Sequence, residues 1–143
     1  MLKRPKIAVI GAGNVGATCA HWLVAQELGD VVLLDIPAVA DQTVGKALDL
    51  FEATPIERLD CRVTGTHDYD DLINSDIVVL TAGSPRRPGM SRDDLIKVNA
   101  GIVAKVATEV RTRVPECILI VMTNPLDAMV YAAWKASGFP PER

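Results

Sequence analysis

Three glycines, Gly11, Gly13 and Gly16, lie between the apolar run 6–10 and a helical pattern, in the sequence GAGNVG. In such a turn the first glycine permits a sharp bend, the second lets the backbone approach a ligand, and the third lets the helix pack on the strand. The free amides at the start of the helix then stabilise the charge of a pyrophosphate. The pattern predicts a dinucleotide site built from the whole turn: Gly11, Ala12, Gly13, Asn14, Val15 and Gly16.

An acidic residue at the end of the next apolar run indicates which dinucleotide binds. Asp35 follows the run 31–34 and lies about 20 residues beyond the last glycine. A carboxylate there accepts hydrogen bonds from both ribose hydroxyls and repels a 2′-phosphate, and the following Ile36 and Pro37 supply no arginine to bind one. These residues favour NAD over NADP. The alternative is a related fold that binds another nucleotide or none.

A loop rich in arginine follows the apolar run 77–80. It contains Arg86, Arg87 and Arg92, flanked by two prolines and a glycine. Guanidinium groups bind carboxylates through paired hydrogen bonds, and ligands of doubly wound sheets bind at the carboxyl ends of the strands. We expect an anionic substrate at this loop. A solvated surface loop, with acidic side chains as partners, explains the spacing equally well.

A second polar segment, Met122-Thr123-Asn124-Pro125, ends the run 118–122 at the same predicted edge. Asn124 is placed to hydrogen-bond a substrate oxygen or a nicotinamide. Its alternative role is to cap a helix that begins at Pro125, because Asn followed by Pro is a favourable start of a helix.

These candidate residues require an alternation of strands and helices. We predict an α/β fold, a doubly wound parallel (Rossmann) sheet within one dinucleotide-binding domain that spans 1–143. Apolar runs this uniform are typical of strands buried on both faces. The predicted strands are 6–10, 31–34, 61–66, 77–80 and 118–122. The predicted helices are 15–28, 42–53, 92–113 and 125–137.

The third helix has the clearest boundaries. Ser91 is placed to accept a hydrogen bond from the amide of Asp94, and Pro115 ends the helix. Gly138 is the expected stop of the fourth helix. The apolar face of the third helix is expected to comprise Leu95, Val98, Ile102, Val106 and Val110.

Composition excludes several classes of function. The net charge of −3 gives no basic field for nucleic acid or an anionic membrane, and no apolar run reaches the roughly 18 residues that span a bilayer. Three well-separated cysteines without a CxxC pattern indicate buried free thiols in a reducing, cytoplasmic compartment. A content of 49% apolar residues leads us to expect a homo-oligomer.

With these motifs in place, the sequence resembles the malate dehydrogenases of the lactate-dehydrogenase-like bacterial group. The matching stretches are GAGNVGA, LLDI, GKALDL, TGTHDYDD, SDIVVLTAGSPRRPGMSRDDL and TNPLDAM. The resemblance implies NAD as cofactor and malate or oxaloacetate, small dicarboxylates, as substrate. It places Arg86 on the distal carboxylate, where lactate enzymes carry glutamine, and Arg92 on the substrate carbonyl. It also places Asn124 on the substrate and the cofactor, Asn99 near the cofactor, and Met122 and Thr123 beside nicotinamide. A lactate-dehydrogenase-type domain for other 2-hydroxy acids is the nearest alternative.

The resemblance also implies elements beyond Arg143: a sixth strand and a C-terminal domain with the catalytic His, its orienting Asp and an arginine. We expect neither His21 nor His67 to replace that acid/base, so the chain alone is expected to bind NAD without turnover. Tyr131 and Lys135 match the YxxxK pattern of short-chain dehydrogenases, but the glycine turn of that class is lacking. A stand-alone NAD-binding module and a regulatory protein that uses the same fold remain alternatives.

Overall fold

A parallel β-sheet of five strands forms the centre of the structure. The computed structural model describes residues 4–143. The strands are β1 (Lys6–Ile10), β2 (Asp30–Leu34), β3 (Val63–Thr66), β4 (Ile77–Leu80) and β5 (Ile118–Val121). They lie in the order β3-β2-β1-β4-β5, with every neighbouring pair parallel. The reversal of order at β1 and β4 is that of a doubly wound sheet, which confirms the predicted fold class.

Four helices cover the two faces of this sheet. They are α1 (Asn14–Ala25), α2 (Ala40–Ala53), α3 (Arg92–Arg113) and α4 (Leu126–Ser137), with short 3₁₀ turns at Pro37–Val39 and Tyr69–Leu72. Successive side chains of β1 point to opposite faces of the sheet, so the core consists of two clusters. Ala8 and Ile10 pack with α3 and α4, and Ile7 and Val9 pack with α1 and α2. Each central strand is therefore buried on both sides, as predicted.

The edge strand β5 departs from that prediction. Its residues alternate between partly buried and exposed, and Ile118 and Ile120 are 47% and 44% exposed. These two residues pair in register with Ile77 and Val79, whose side chains face α1 and α2. Within residues 4–143, the helices on that face do not extend over the outermost strand. The prediction that β5 is buried on both faces was therefore wrong.

The helices differ from the predicted ranges mainly at their ends. Helix α1 stops at Ala25 rather than at 28, because Glu27 adopts a left-handed conformation with φ 52° and the amide of Leu28 returns to the carbonyl of Leu23. Gly138, with φ 62°, ends α4 as expected. The buried face of α3 includes Asn99 and Val103, and Val98, placed on that face by the sequence, is exposed.

The cysteines are unpaired, but only two of the three are buried as predicted. Cys61 and Cys117 lie in the core, and burial raises the pKa of the Cys117 thiol to about 11. Cys19 on α1 is only partly buried. Among the described residues, no helix is long and apolar enough to cross a lipid bilayer.

Candidate functional site

The glycine turn connects β1 to α1 at the carboxyl edge of the sheet. Gly11 has φ +105°, and a Cβ atom there would lie 2.6 Å from the amide nitrogen of Ala82. A Cβ at Gly16 would overlap the carbonyl oxygen of Gly11. Both positions therefore require glycine, as the sequence pattern predicts. At Gly13, by contrast, a Cβ would meet nothing within 4 Å. Open space thus borders the turn where a ligand must approach.

The N-terminus of α1 faces the same turn. Gly13 is its N-cap, and within residues 4–143 no side chain caps the helix. The first return bond runs from the amide of Ala17 to the carbonyl of Gly13. The preceding helical amides, those of Asn14, Val15 and Gly16, belong to the orphan donors of a helix start, which bind phosphate well. The turn therefore fits the pyrophosphate of a dinucleotide.

Asp35 lies beside this turn, at the end of β2. One carboxylate oxygen accepts a hydrogen bond from the amide of Ala12 at 2.6 Å, and the other accepts one from the amide of Ile36 at 2.7 Å. Each oxygen keeps a second lone pair, so the group can still accept hydrogen bonds from ribose hydroxyls. The structure thus brings the predicted ribose acid and the predicted phosphate turn together.

Two further residues, whose role the sequence did not predict, also hold the turn. Lys46 of α2 donates from Nζ to the carbonyl of Ala12 at 2.5 Å. Thr81, just after β4, donates to the carbonyls of Gly11 at 3.0 Å and Ile10 at 3.2 Å. Two features of the sequence could have pointed to them: Lys46 lies in the GKALDL stretch, and Thr81 directly follows the apolar run 77–80.

The arginine loop leaves the neighbouring strand β4. Arg86 donates from Nε to the carbonyl of Met90 at 3.2 Å, across a turn at Gly89 with φ +82°. Helix α3 then begins with a reciprocal cap: Ser91 Oγ accepts from the amide of Asp94, and the Asp94 carboxylate accepts from the amide of Ser91. The Ser91 hydroxyl also donates to the Asp94 carboxylate at 2.6 Å, and this bond, together with that from the Ser91 amide, lowers the pKa of Asp94. The predicted start of α3 is confirmed.

Arg86, Arg92 and Asn124 line one cavity of about 630 Å³ at this edge. That volume lies in the range of small-molecule sites. Apolar side chains of α3 and α4 and the carboxylate of Asp127 complete its wall. The N-cap of α4 is Pro125 rather than Asn124, and within residues 4–143 no side chain caps this helix. The predicted alternative role of Asn124 as a helix cap is therefore wrong.

The remaining predicted residues lie beside this cavity in different settings. Asn99 is 2% exposed, and its side chain bonds to the loops that contain Ser84 and Asn124. Thr123 is also buried and donates to the carbonyl of Ala82 at 2.8 Å. Met122 is 42% exposed and lines a different groove, along α1, together with Asn14, Val15, Trp22 and others.

The other titratable candidates lie away from the cavity. His21 and His67 are exposed, and neither lines it. The Nζ of Lys135 lies over the ring faces of Tyr131 and Trp134, 5.5 and 4.6 Å from their centroids. Those rings border a separate apolar cavity between β5 and α4. Tyr131 and Lys135 are thus not part of the wall formed by Arg86 and Arg92.

Comparison with known proteins agrees with this geometry. The sequence matches the family model described as lactate/malate dehydrogenase, NAD binding domain, over residues 5–143. It is 57% identical over 139 residues to the malate dehydrogenase of Desulforudis audaxviator (strain MP104C), covering 97% of this chain and 44% of that protein.

Two solved structures are similar in fold. The apo malate dehydrogenase of Picrophilus torridus has a TM-score of 0.93 at 44% identity, covering 97% of this chain and 44% of that one. The malate dehydrogenase of Archaeoglobus fulgidus in complex with NADH has a TM-score of 0.89 at 40% identity, and the match covers 94% of this chain and 46% of that one.

The chain therefore spans less than half the length of these relatives. The family match nevertheless covers nearly every described residue, including the glycine turn and the arginine loop. The chain belongs to the family of NAD-binding domains of lactate and malate dehydrogenases.

Proposed function

We propose that this chain is the cofactor-binding part of an NAD-dependent malate dehydrogenase, whose whole protein interconverts malate and oxaloacetate. The observation that carries this proposal is the shared cavity of Arg86, Arg92 and Asn124. It opens at the sheet edge that also holds the glycine turn and Asp35. A dinucleotide bound along that edge extends from the turn toward the two arginines.

Different residues bind the two ends of the cofactor. The turn Gly11–Gly16 binds the pyrophosphate, and Asp35 accepts hydrogen bonds from the adenosine ribose. Met122 and Thr123, at the end of β5, border the nicotinamide. Bound NAD supplies the hydride acceptor in malate oxidation, and NADH the donor in the reverse direction.

The arginines select the substrate. Arg86 pairs with the distal carboxylate of oxaloacetate, and Arg92 stabilises negative charge that develops on the carbonyl oxygen, with Asn124 as a further hydrogen-bond donor. A monocarboxylate such as pyruvate leaves Arg86 without its partner, which favours malate over lactate chemistry. Lactate-type substrates are the second candidate, because the family includes both classes of enzyme.

We further propose that residues 1–143 alone bind NAD without catalysis. Reduction of a ketone needs a proton donor near the carbonyl oxygen, usually a histidine. His21 and His67 lie outside the wall that contains Arg86 and Arg92. We propose that the acid/base of the whole protein lies in the part that corresponds to the unmatched half of the relatives.

We also propose that the protein forms a homo-oligomer and is located in the cytoplasm. Trp22 on α1 and Leu28 just beyond it are more than half exposed, and both line an apolar groove. Exposed apolar surface of this kind favours association with a second copy. The unpaired cysteines fit a reducing cytoplasm.

One experiment tests the function of this chain. NADH oxidation is followed with and without oxaloacetate, for the chain and for Arg92→Ala, after NADH binding has been measured for both proteins. We expect both to bind NADH and neither to oxidise it faster with oxaloacetate. Turnover by the unmodified chain above that of Arg92→Ala would show that it is catalytic by itself. Absence of NADH binding up to millimolar concentration would overturn the dehydrogenase proposal.

A further inference from the structure

A buried amide in α3 connects the two loops that form the substrate cavity. Asn99 lies in the N-terminal half of the helix, and only 2% of the residue is exposed. Around it, the buried positions of α3 are apolar: Val103, Val106, Ala107 and Val110. A buried side-chain amide is costly unless its polar atoms are hydrogen-bonded. The partners of Asn99 therefore explain its presence on this face.

Those partners are backbone groups of both loops. Asn99 Oδ1 accepts from the amide of Ser84 at 2.8 Å, and Nδ2 donates to the carbonyl of Ser84 at 3.3 Å. The same Nδ2 donates to the carbonyl of Asn124 at 2.7 Å. Ser84 is two residues before Arg86, and Asn124 lines the cavity with Arg86 and Arg92. One side chain thus bonds to the two segments that carry the candidate substrate residues.

Close packing beside these bonds fixes the same segment. A Cβ atom at Gly83 would lie 2.7 Å from Thr123 Cγ2 and 3.3 Å from Asn99 Oδ1. Thr123 Oγ1 also donates to the carbonyl of Ala82 at 2.8 Å. Residues 82, 83 and 84 are therefore each contacted by Thr123 or Asn99, which leaves the start of the arginine loop little freedom to move away from β5.

We propose that Asn99 is a positioning residue that sets the distance between the loop carrying Arg86 and the loop carrying Asn124, with its side chain bonded to protein rather than to the cofactor. Both Nδ2 hydrogens and one Oδ1 lone pair are used by the loops, and the buried side chain has little surface for a ligand. Its effect on NAD binding is indirect, through the shape of the nicotinamide end of the site. This inference rests on the proposed function only for the identity of the ligand.

The bond to Ser84 can be measured without a ligand. We expect the Ser84 amide of the unmodified chain to be protected from hydrogen exchange, and Asn99→Ala to reduce that protection by about tenfold, the effect of one ordinary hydrogen bond. Asn99→Asp keeps an acceptor for Ser84 but loses both donors, so it should keep this protection while releasing Asn124. Thr108→Ala is the matched control, because Thr108 lies on α3 and bonds only to the carbonyl of Ala104 in its own helix.

The effect on binding is measured with two ligands. ADP-ribose contains the adenosine, the pyrophosphate and the second ribose of NAD and lacks only the nicotinamide ring. Asn99→Ala removes all three hydrogen bonds and Asn99→Asp removes the two that Nδ2 donates. We expect both variants to weaken NADH binding by about tenfold, the size of effect of one ordinary hydrogen bond, and to leave ADP-ribose binding unchanged. An equal loss for both ligands would indicate general damage to the fold and would overturn the positioning role. Unchanged NADH binding in both variants would overturn it as well.

The unmodified chain supplies a test that needs no variant. If Asn99 stays bonded to the loops, saturating NADH preserves the protection of the Ser84 amide. A fall in that protection on NADH binding would mean that the side chain turns to the cofactor, which contradicts the proposal. If the chain binds no NADH, the proposed function is wrong. An unprotected Ser84 amide in the free protein would, independently of any ligand, contradict the hydrogen bond between Asn99 and Ser84.

Discussion

The carboxylate of Asp35 accepts a hydrogen bond from the amide of Ala12 at 2.6 Å, across 23 residues of sequence. This bond connects the end of β2 to the turn that follows β1. Lys46 donates to the carbonyl of the same Ala12, so both backbone groups of this residue are held by charged side chains. Hydrogen bonds to charged groups are stronger than those between neutral groups. The turn is therefore held in shape before a ligand binds.

The first prediction concerns cofactor selectivity. Asp35→Asn removes the negative charge that binds ribose hydroxyls and repels a 2′-phosphate. We expect NADH affinity to fall by about 10- to 100-fold, as for loss of a hydrogen bond to a charged group, and the preference for NADH over NADPH to narrow. Fluorescence titration with both cofactors measures this. Asp49→Asn, an exposed position on α2, should change neither affinity, and an unchanged preference in Asp35→Asn would contradict the assigned role.

A second prediction compares two glycines in helices. Gly16→Ala places a Cβ against the carbonyl of Gly11, so α1 must move away from β1. We expect a loss of about 1–3 kcal/mol in the free energy of unfolding, the usual cost of overpacking. Gly101→Ala in α3 meets nothing within 4 Å and should stabilise the protein by about 0.5–1 kcal/mol. Urea denaturation of the two variants measures both effects, and equal changes would refute the close approach at Gly16.

Substrate selection gives the third prediction. Arg86→Gln removes the cation proposed to bind the distal carboxylate, so oxaloacetate binding to the NADH complex should weaken by about 10- to 100-fold, while pyruvate binding should not weaken. Calorimetric titration with the two acids provides the comparison. Arg87→Gln is the matched control, because this neighbouring arginine is not part of the cavity wall. Equal losses in Arg86→Gln and Arg87→Gln would indicate only a general charge effect.

The capping box of α3 predicts a pH dependence of stability. Hydrogen bonds from Ser91 lower the pKa of Asp94, so the unfolded chain binds a proton at that position more readily than the folded one. The stabilisation is present above the ordinary Asp pKa of about 3.9 and is lost as pH falls through the lowered folded value.

We therefore expect Ser91→Ala to lower the free energy of unfolding by about 1 kcal/mol at neutral pH. The difference between this variant and the unmodified chain should shrink in acid. Thr112→Ala, whose hydroxyl bonds only within α3, should show a small difference that does not depend on pH. Thermal unfolding between neutral and acidic pH tests this prediction, and a Ser91→Ala difference that grows in acid would contradict it.

Much of the fold could be predicted because local signals coincide with the element boundaries. Ser91 and Pro115 bracket α3, and its observed range, Arg92–Arg113, equals the predicted one. Gly138 likewise ends α4. The end of α1 was missed because Glu27 adopts a left-handed conformation that the sequence does not signal with glycine.

The site could be predicted only in part. The glycine turn and Asp35 are recognisable because their roles depend on spacing within one βαβ unit. The bond from Lys46 to Ala12 depends on how α2 packs on the sheet, where a Cβ at Gly65 would lie 2.6 Å from the carbonyl of Thr43. The partners of Asn99 lie 15 and 25 residues away, on two different loops. Such contacts follow from tertiary packing and leave no local pattern.

The central claim, that the glycine turn binds NAD, is tested most directly by NADH titration of the unmodified chain and of Gly13→Val. Gly13 has φ −66°, and its missing side chain borders open space, so valine can be accommodated without a clash in the free protein. The added side chain would, however, occupy the space proposed for the pyrophosphate. We predict saturable NADH binding by the unmodified chain and its loss in Gly13→Val, with nearly unchanged melting temperatures. Equal NADH affinity in the two proteins, or no binding by either, would contradict the account.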